Sequence, residues 1–192
     1  MIISNVIEGI ERALKQMDKK FCRLSENDYS TLDGRIKKQA KSEKYLERPI
    51  AYEFYHQLRK MIETGIVDFG GPIIQAEVDK RYQHCFEKGK IPDFIIHVPN
   101  SRHNLAVIEF KLTSNLDNIN SDFLKLLEFK DNPELRYDNI IQVIIGNKAS
   151  LNEAKDKIKQ MKKTKGNEIK ILQFNTDSWN VTDVYSIRYK YS

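Results

Sequence analysis

Apolar residues open the chain at helical spacing. Ile3, Val6, Ile7, Ile10, Leu14 and Met17 fall on one stripe, which predicts an amphipathic helix over residues 2–20. Ser25 with Asp28 has the form of a helix start, and Leu32, Ile36 and Ala40 continue the spacing towards Lys41. Pro49 suits a first helical turn, after which Ala51, Tyr55, Leu58 and Ile62 trace one face until Gly65 ends a third helix, with Glu53 on a neighbouring stripe. The pattern then changes from helical to alternating. Gly70, Gly71 and Pro72 lead into a strand over residues 73–78, where Ile74, Ala76 and Val78 alternate with Gln75, Glu77 and Asp79. Residues 94–98 and 105–110 are rich in β-branched and aromatic side chains, and Pro99-Asn100-Ser101 between them is turn chemistry suited to a hairpin.

After Lys111 a polar stretch leads into a helix carrying Phe123, Leu124, Leu127 and Glu128, which Pro133 stops. A buried strand follows at residues 140–145. Ser150 with Glu153 forms a capping-box pattern opening a lysine-rich helix that ends near Gly166, and residues 169–174 read as another strand. Tyr185, Ile187 and Tyr189 alternate as an edge strand. This order predicts an α/β fold, with residues 1–45 as a helical extension and residues 46–192 as the main domain.

Composition narrows the classes. At 192 residues, 40% hydrophobic and 31% charged, the chain has the make-up of a globular protein and not of a disordered one. Its longest apolar run, residues 140–145, is broken by Gln142, and Glu8, Glu11 and Arg12 come too early for a signal peptide, so a cytoplasmic protein without a membrane span is expected. Cys22 and Cys85 lack paired metal-ligand spacing and read as free thiols; His84 beside Cys85 has no second ligand for zinc. The net charge of +5 is matched by the segment between Lys148 and Lys170, where eight lysines face Glu153, Asp156 and Glu168. Arg35, Lys37, Lys38 and Lys41 form a second cluster. Either cluster is equally well a solvated helix face, so charge alone does not decide the function.

The chemistry gathers between Ile91 and Lys111. Alternation sends Leu105, Val107, Glu109 and Lys111 to one face of their strand and Ala106, Ile108 and Phe110 to the other. Asp93 stands at the start of the preceding strand, and antiparallel pairing brings that start beside the end of the next. Two carboxylates held close in an apolar setting are costly without a compensating cation, and oxygen ligands match a hard divalent ion, Mg²⁺ or Mn²⁺. A lysine beside such an ion and a phosphate can orient or deprotonate water and offset charge in the transition state.

These residues carry a resemblance. Ile91-Pro92-Asp93-Phe94-Ile95-Ile96, followed by Ala106-Val107-Ile108-Glu109-Phe110-Lys111, resembles the signature of the PD-(D/E)xK nuclease superfamily, which includes restriction enzymes and Holliday-junction resolvases. The resemblance implies a restriction-endonuclease-like core, a central mixed β-sheet flanked by helices, and hydrolysis of phosphodiester bonds, with DNA as the partner. It implies that Asp93 and Glu109 bind the metal and that Lys111 assists water attack. Many members add a glutamate from the helix ahead of the sheet; Glu53 matches that position in order and element type, and Glu77, on the strand before Asp93, competes with it. Ser121-Asp122-Phe123-Leu124-Lys125-Leu126-Leu127, with Tyr137 and the strand after it, is similar to the elements that close the core in these nucleases, so the likeness covers residues 49–145.

Further residues have bland readings beside functional ones. Lys80, Arg81 and Lys125 can hold phosphates or be surface charge, and His56 can line a groove or simply be exposed. Two rival functions stand beside the nuclease. One is a catalytically inactive nucleic-acid or protein-binding module on the same fold, using the lysines of residues 155–165. The other is an interaction subunit forming a homodimer through Ile3, Val6, Ile10 and Leu14.

Overall fold

The computed structural model describes residues 2–24, 44–77, 91–161 and 165–190. The helix expected over residues 25–41, with its basic cluster, and Lys80, Arg81, His84 and Cys85 lie outside them.

The first helix, α1 (Val6–Gln16), begins where Asn5 Oδ1 accepts the amides of Ile7 and Glu8 at 2.9 and 3.1 Å. After it, β1 (Arg23–Leu24) and β2 (Lys44–Tyr45) pair in a short antiparallel ladder, and α2 (Glu47–Glu63) follows. The main sheet comprises β3 (Ile73–Ala76), β4 (Phe94–His97), β5 (Asn104–Leu112), β6 (Asn139–Gly146), β7 (Asn167–Asn175) and β8 (Asn180–Tyr189), neighbours in that spatial order. Pairing is antiparallel from β3 to β5, parallel across β5, β6 and β7, and antiparallel again at β8. The parallel connections run through α3 (Ile119–Asp131) and α4 (Lys148–Met161). The protein is therefore α/β, a six-stranded mixed sheet flanked by helices. Among the described residues no helix is long and apolar enough to cross a membrane.

Each face of the sheet has its own core. On one, Ile10 and Leu14 of α1 and Ile50, Phe54 and Leu58 of α2 pack against Phe94, Ile96, Ile108, Phe110 and Val143. On the other, Phe123, Leu126 and Leu127 of α3 and Leu151 and Ile158 of α4 cover Ile95, Val107, Ile144 and Ile171. The alternation expected along β5 holds from Ala106 to Phe110. Leu105 departs from it: the register slips between Ile96 and His97, and Leu105 turns to the α1–α2 side.

Two further expectations change. Helix α4 starts at Lys148, ahead of Ser150, because Asn147 Oδ1 accepts the Ser150 amide at 2.9 Å and takes the capping role. The α1 stripe is not a detached dimerisation surface, since Val6, Ile10 and Leu14 are buried within the chain's own core. A backbone hydrogen bond of 2.9 Å from the Ile3 amide to the Ile66 carbonyl ties the start of this helix to the end of α2.

Candidate active site

The site lies where β4 stops and β5 continues. Phe94, the first residue of β4, pairs with Ile108, while β5 runs on to Leu112 with β6 alongside only on its other edge. The amides of Phe110 and Leu112 thus lose a strand partner and need other acceptors. Asp93 Oδ2 accepts from the Phe110 amide at 2.7 Å, and Glu47 Oε2, from the first turn of α2, accepts from the Leu112 amide at 3.0 Å. Two carboxylates replace the missing strand and are held in place by doing so.

Glu109 and Lys111 project to the α3 face. Asp122 and Lys125, three residues apart on one face of α3, meet them crosswise. Lys125 Nζ lies 2.7 Å from Glu109 Oε1, and Lys111 Nζ lies 2.8 Å from Asp122 Oδ2. All four side chains are largely removed from solvent, Glu109 most completely at 4% exposure. Gln142, beside Glu109 in register, donates from Nε2 to the Glu109 carbonyl at 3.1 Å, and its buried Oε1 has no hydrogen-bond partner among the described residues.

Burial drives the titration of this group. It pushes the Glu109 carboxyl up to about 8, with the Asp93 charge adding to the rise and Lys125 opposing it. Burial raises Asp93 too, against the lowering effect of the Phe110 amide and Lys125. For Lys111, burial acts downward but is outweighed by the hydrogen bond and charge of Asp122, then by Glu47 and Glu109, so the ammonium is held above its ordinary range.

Asp93, Glu109 and Lys111 are therefore gathered as the sequence implies, with Glu47 as the helix carboxylate beside them. Glu53 is not brought to this group. Six residues beyond Glu47 it lies about 9 Å further along the helix and roughly 120° around it. Its Oε1 accepts from the Asp18 amide at 3.0 Å and from Gln57 Nε2 at 2.8 Å, which anchors the chain leaving α1. The backbone of Glu77 adjoins Asp93, its amide donating to the Asp93 carbonyl at 2.9 Å, but its exposed side chain lines an outer cleft. His56 is exposed, and His97 is buried with Nε2 2.6 Å from Gln75 Oε1.

Sequence reasoning missed Glu47, Asp122 and Gln142. The available signals were weak: Glu47 opens the helix just ahead of Pro49, Asp122 precedes Lys125 by one turn, and Gln142 interrupts an apolar strand.

Among the described residues no three His, Cys, Asp or Glu side chains are arranged to enclose a metal ion. Glu109 is turned to Lys125 and Glu47 to the Leu112 amide. The donors nevertheless fit a hard cation in their chemistry: carboxylate oxygens, buried, two of them raised by that burial, with a lysine ammonium supplying positive charge at Glu109. No family model, no curated protein and no solved structure matches this chain.

Proposed function

We propose that this chain is a divalent-metal-dependent nuclease that hydrolyses phosphodiester bonds of DNA on a restriction-endonuclease-like core. The observation that supports this reading is the convergence of Asp93, Glu109 and Lys111, joined by Glu47, at the place where β5 outruns β4. The strand order and the crossover through α3 are compatible with that core. Asp93 and Glu109, with Glu47, would hold Mg²⁺ or Mn²⁺, which when bound supplies charge neutralisation at the phosphate and acidifies water. The Phe110 and Leu112 amides keep the Asp93 and Glu47 carboxylates in place without rotamer search. Lys111, steered by Asp122, presents its ammonium beside the carboxylates, where it can hold the attacking water and offset negative charge on the phosphate.

The test is cleavage of plasmid and branched DNA with Mg²⁺ or Mn²⁺. Lys111→Ala and Glu47→Gln are expected to lose at least about tenfold in rate, or about 1.4 kcal/mol of transition-state stabilisation. Glu53→Gln is expected to cut as wild type does once matched for folded protein. Equal rates for wild type and Lys111→Ala under every condition would sink the catalytic reading.

One observation favours the second reading, a catalytically silent nucleic-acid or protein-binding module. Both charges of the E-x-K pair are already matched by α3, Glu109 by Lys125 and Lys111 by Asp122. Such a module would bind DNA with steep salt dependence, need no divalent metal and yield no product.

A further inference from the structure

We infer that the cleft outside the acidic group receives an unpaired nucleotide next to the scissile phosphate, its base on the Tyr52 ring and its phosphate at Arg48, an inference that rests on the nuclease reading. The cleft, of about 340 Å³, is lined by Glu47, Arg48, Tyr52, Glu77, Ile91 and Asp93 among others. Asp93 belongs both to the cleft and to the buried group, so an occupant of the cleft lies beside the reacting centre.

Tyr52 and Arg48 stand one turn apart on the same side of α2. Tyr52 is 53% exposed and Ile91 is 43% exposed. Their neighbours differ: Phe54, Tyr55, Phe94 and Phe110 pack ring to ring, Tyr55 stacking on Phe94 with centroids 6.0 Å apart. A tyrosine left bare in a concave site offers a flat surface on which a base can stack whatever its identity. Glu47 and Asp93 belong to the metal group, and Glu77, the remaining carboxylate of the cleft, suits a neutral ring whose amino groups donate to it. Arg48 is exposed and has no ion pair or hydrogen bond among the described residues, so its guanidinium can take the phosphate at the rim. A base inside a duplex has both faces covered. An unpaired one, in a single strand, a flap or a frayed end, can give a face to Tyr52 at any position, whereas in a duplex only the outer face of an end pair is open. The substrate class is thus nucleic acid with an unpaired stretch at the cut.

Binding is measured by fluorescence anisotropy, with Ca²⁺ in place of Mg²⁺, on a labelled single-stranded DNA and on the blunt duplex of the same sequence. Tyr52→Ala is expected to weaken single-strand binding roughly tenfold, Tyr52→Phe to retain it, and neither to change duplex binding. In Tyr52→Trp the new indole is expected to be quenched by the unlabelled single strand. Trp179, held by its indole N–H 2.7 Å from the Met17 carbonyl, supplies the unchanged background. Unaltered single-strand affinity in Tyr52→Ala, equal losses on both DNAs, or no binding of either DNA by wild type overturns the inference. Cleavage with Mg²⁺ in a chain whose binding is indifferent to Tyr52 leaves the nuclease reading without the cleft; Tyr52-dependent binding without cleavage leaves the cleft without the nuclease.

Discussion

Glu109 sits buried beside Asp93, and burial and the neighbouring charge both raise its carboxyl, to about 8 against an ordinary 4.5. A carboxyl raised in this way holds its proton more firmly in the folded chain than in the unfolded one. Its contribution to stability is then complete below pH 4.5 and is lost as the pH climbs towards about 8. In chelator, Glu109→Gln should raise the melting temperature at about pH 8 and change it little at about pH 5, with ~2–4 °C for each kcal/mol recovered. Thermal scans at the two pH values check this, and an equal effect at both would show that the carboxylate is not under strain. Asp93, Glu109 and Lys111 were legible because a strand's period and a hairpin's pairing are short-range rules. Glu47 was not, since its partner, the Leu112 amide, is 65 positions away and lacks a strand neighbour only because β4 begins at Phe94.

Helix α3 does more than cover the sheet. Its apolar residues Phe123, Leu126 and Leu127 fill the core, and the same packing sets Asp122 and Lys125 over the charged end of β5. Lys125 thereby stands where a bound cation would compensate Glu109. Lys125→Met removes that competitor and is expected to tighten Mn²⁺ binding roughly tenfold by calorimetric titration without DNA. Unchanged affinity would mean that the ammonium and the metal do not share a place. The helix itself was readable from its periodicity and from Pro133, but its crosswise pairing was not, because rotation about the helix axis is set by what the apolar face meets. The lysine-rich α4 teaches the same lesson. Lys155 is paired with the half-buried Asp183 and Lys157 with Asp117 at the surface, so part of the excess that looked like a phosphate-binding stripe is met by carboxylates of the chain itself.

Across the whole molecule, the two helices ahead of the sheet form one core with it, although the sequence pattern separates the first as an extension. Leu14 and Ile10 are fully buried against α2 and the sheet. Leu14→Ala is expected to cost ~2–5 kcal/mol in urea unfolding, with the same loss at high and low protein concentration. A loss that shrinks as concentration rises would point to a stripe shared between two chains instead. The sequence by itself determined the helices and the six strands of the main sheet among the described residues, the α/β class and the motif of Asp93, Glu109 and Lys111, because periodicity, turn chemistry and strand alternation depend on near neighbours. It missed the short β1–β2 ladder, drew the first helix too long at both ends and started the last strand five residues late. Tertiary structure alone decided which helix carboxylate joins them, which α3 charges oppose them, and that Tyr52 stays bare beside them. Those choices follow from where one strand ends and from how helices turn when their apolar faces are buried on either side of a sheet.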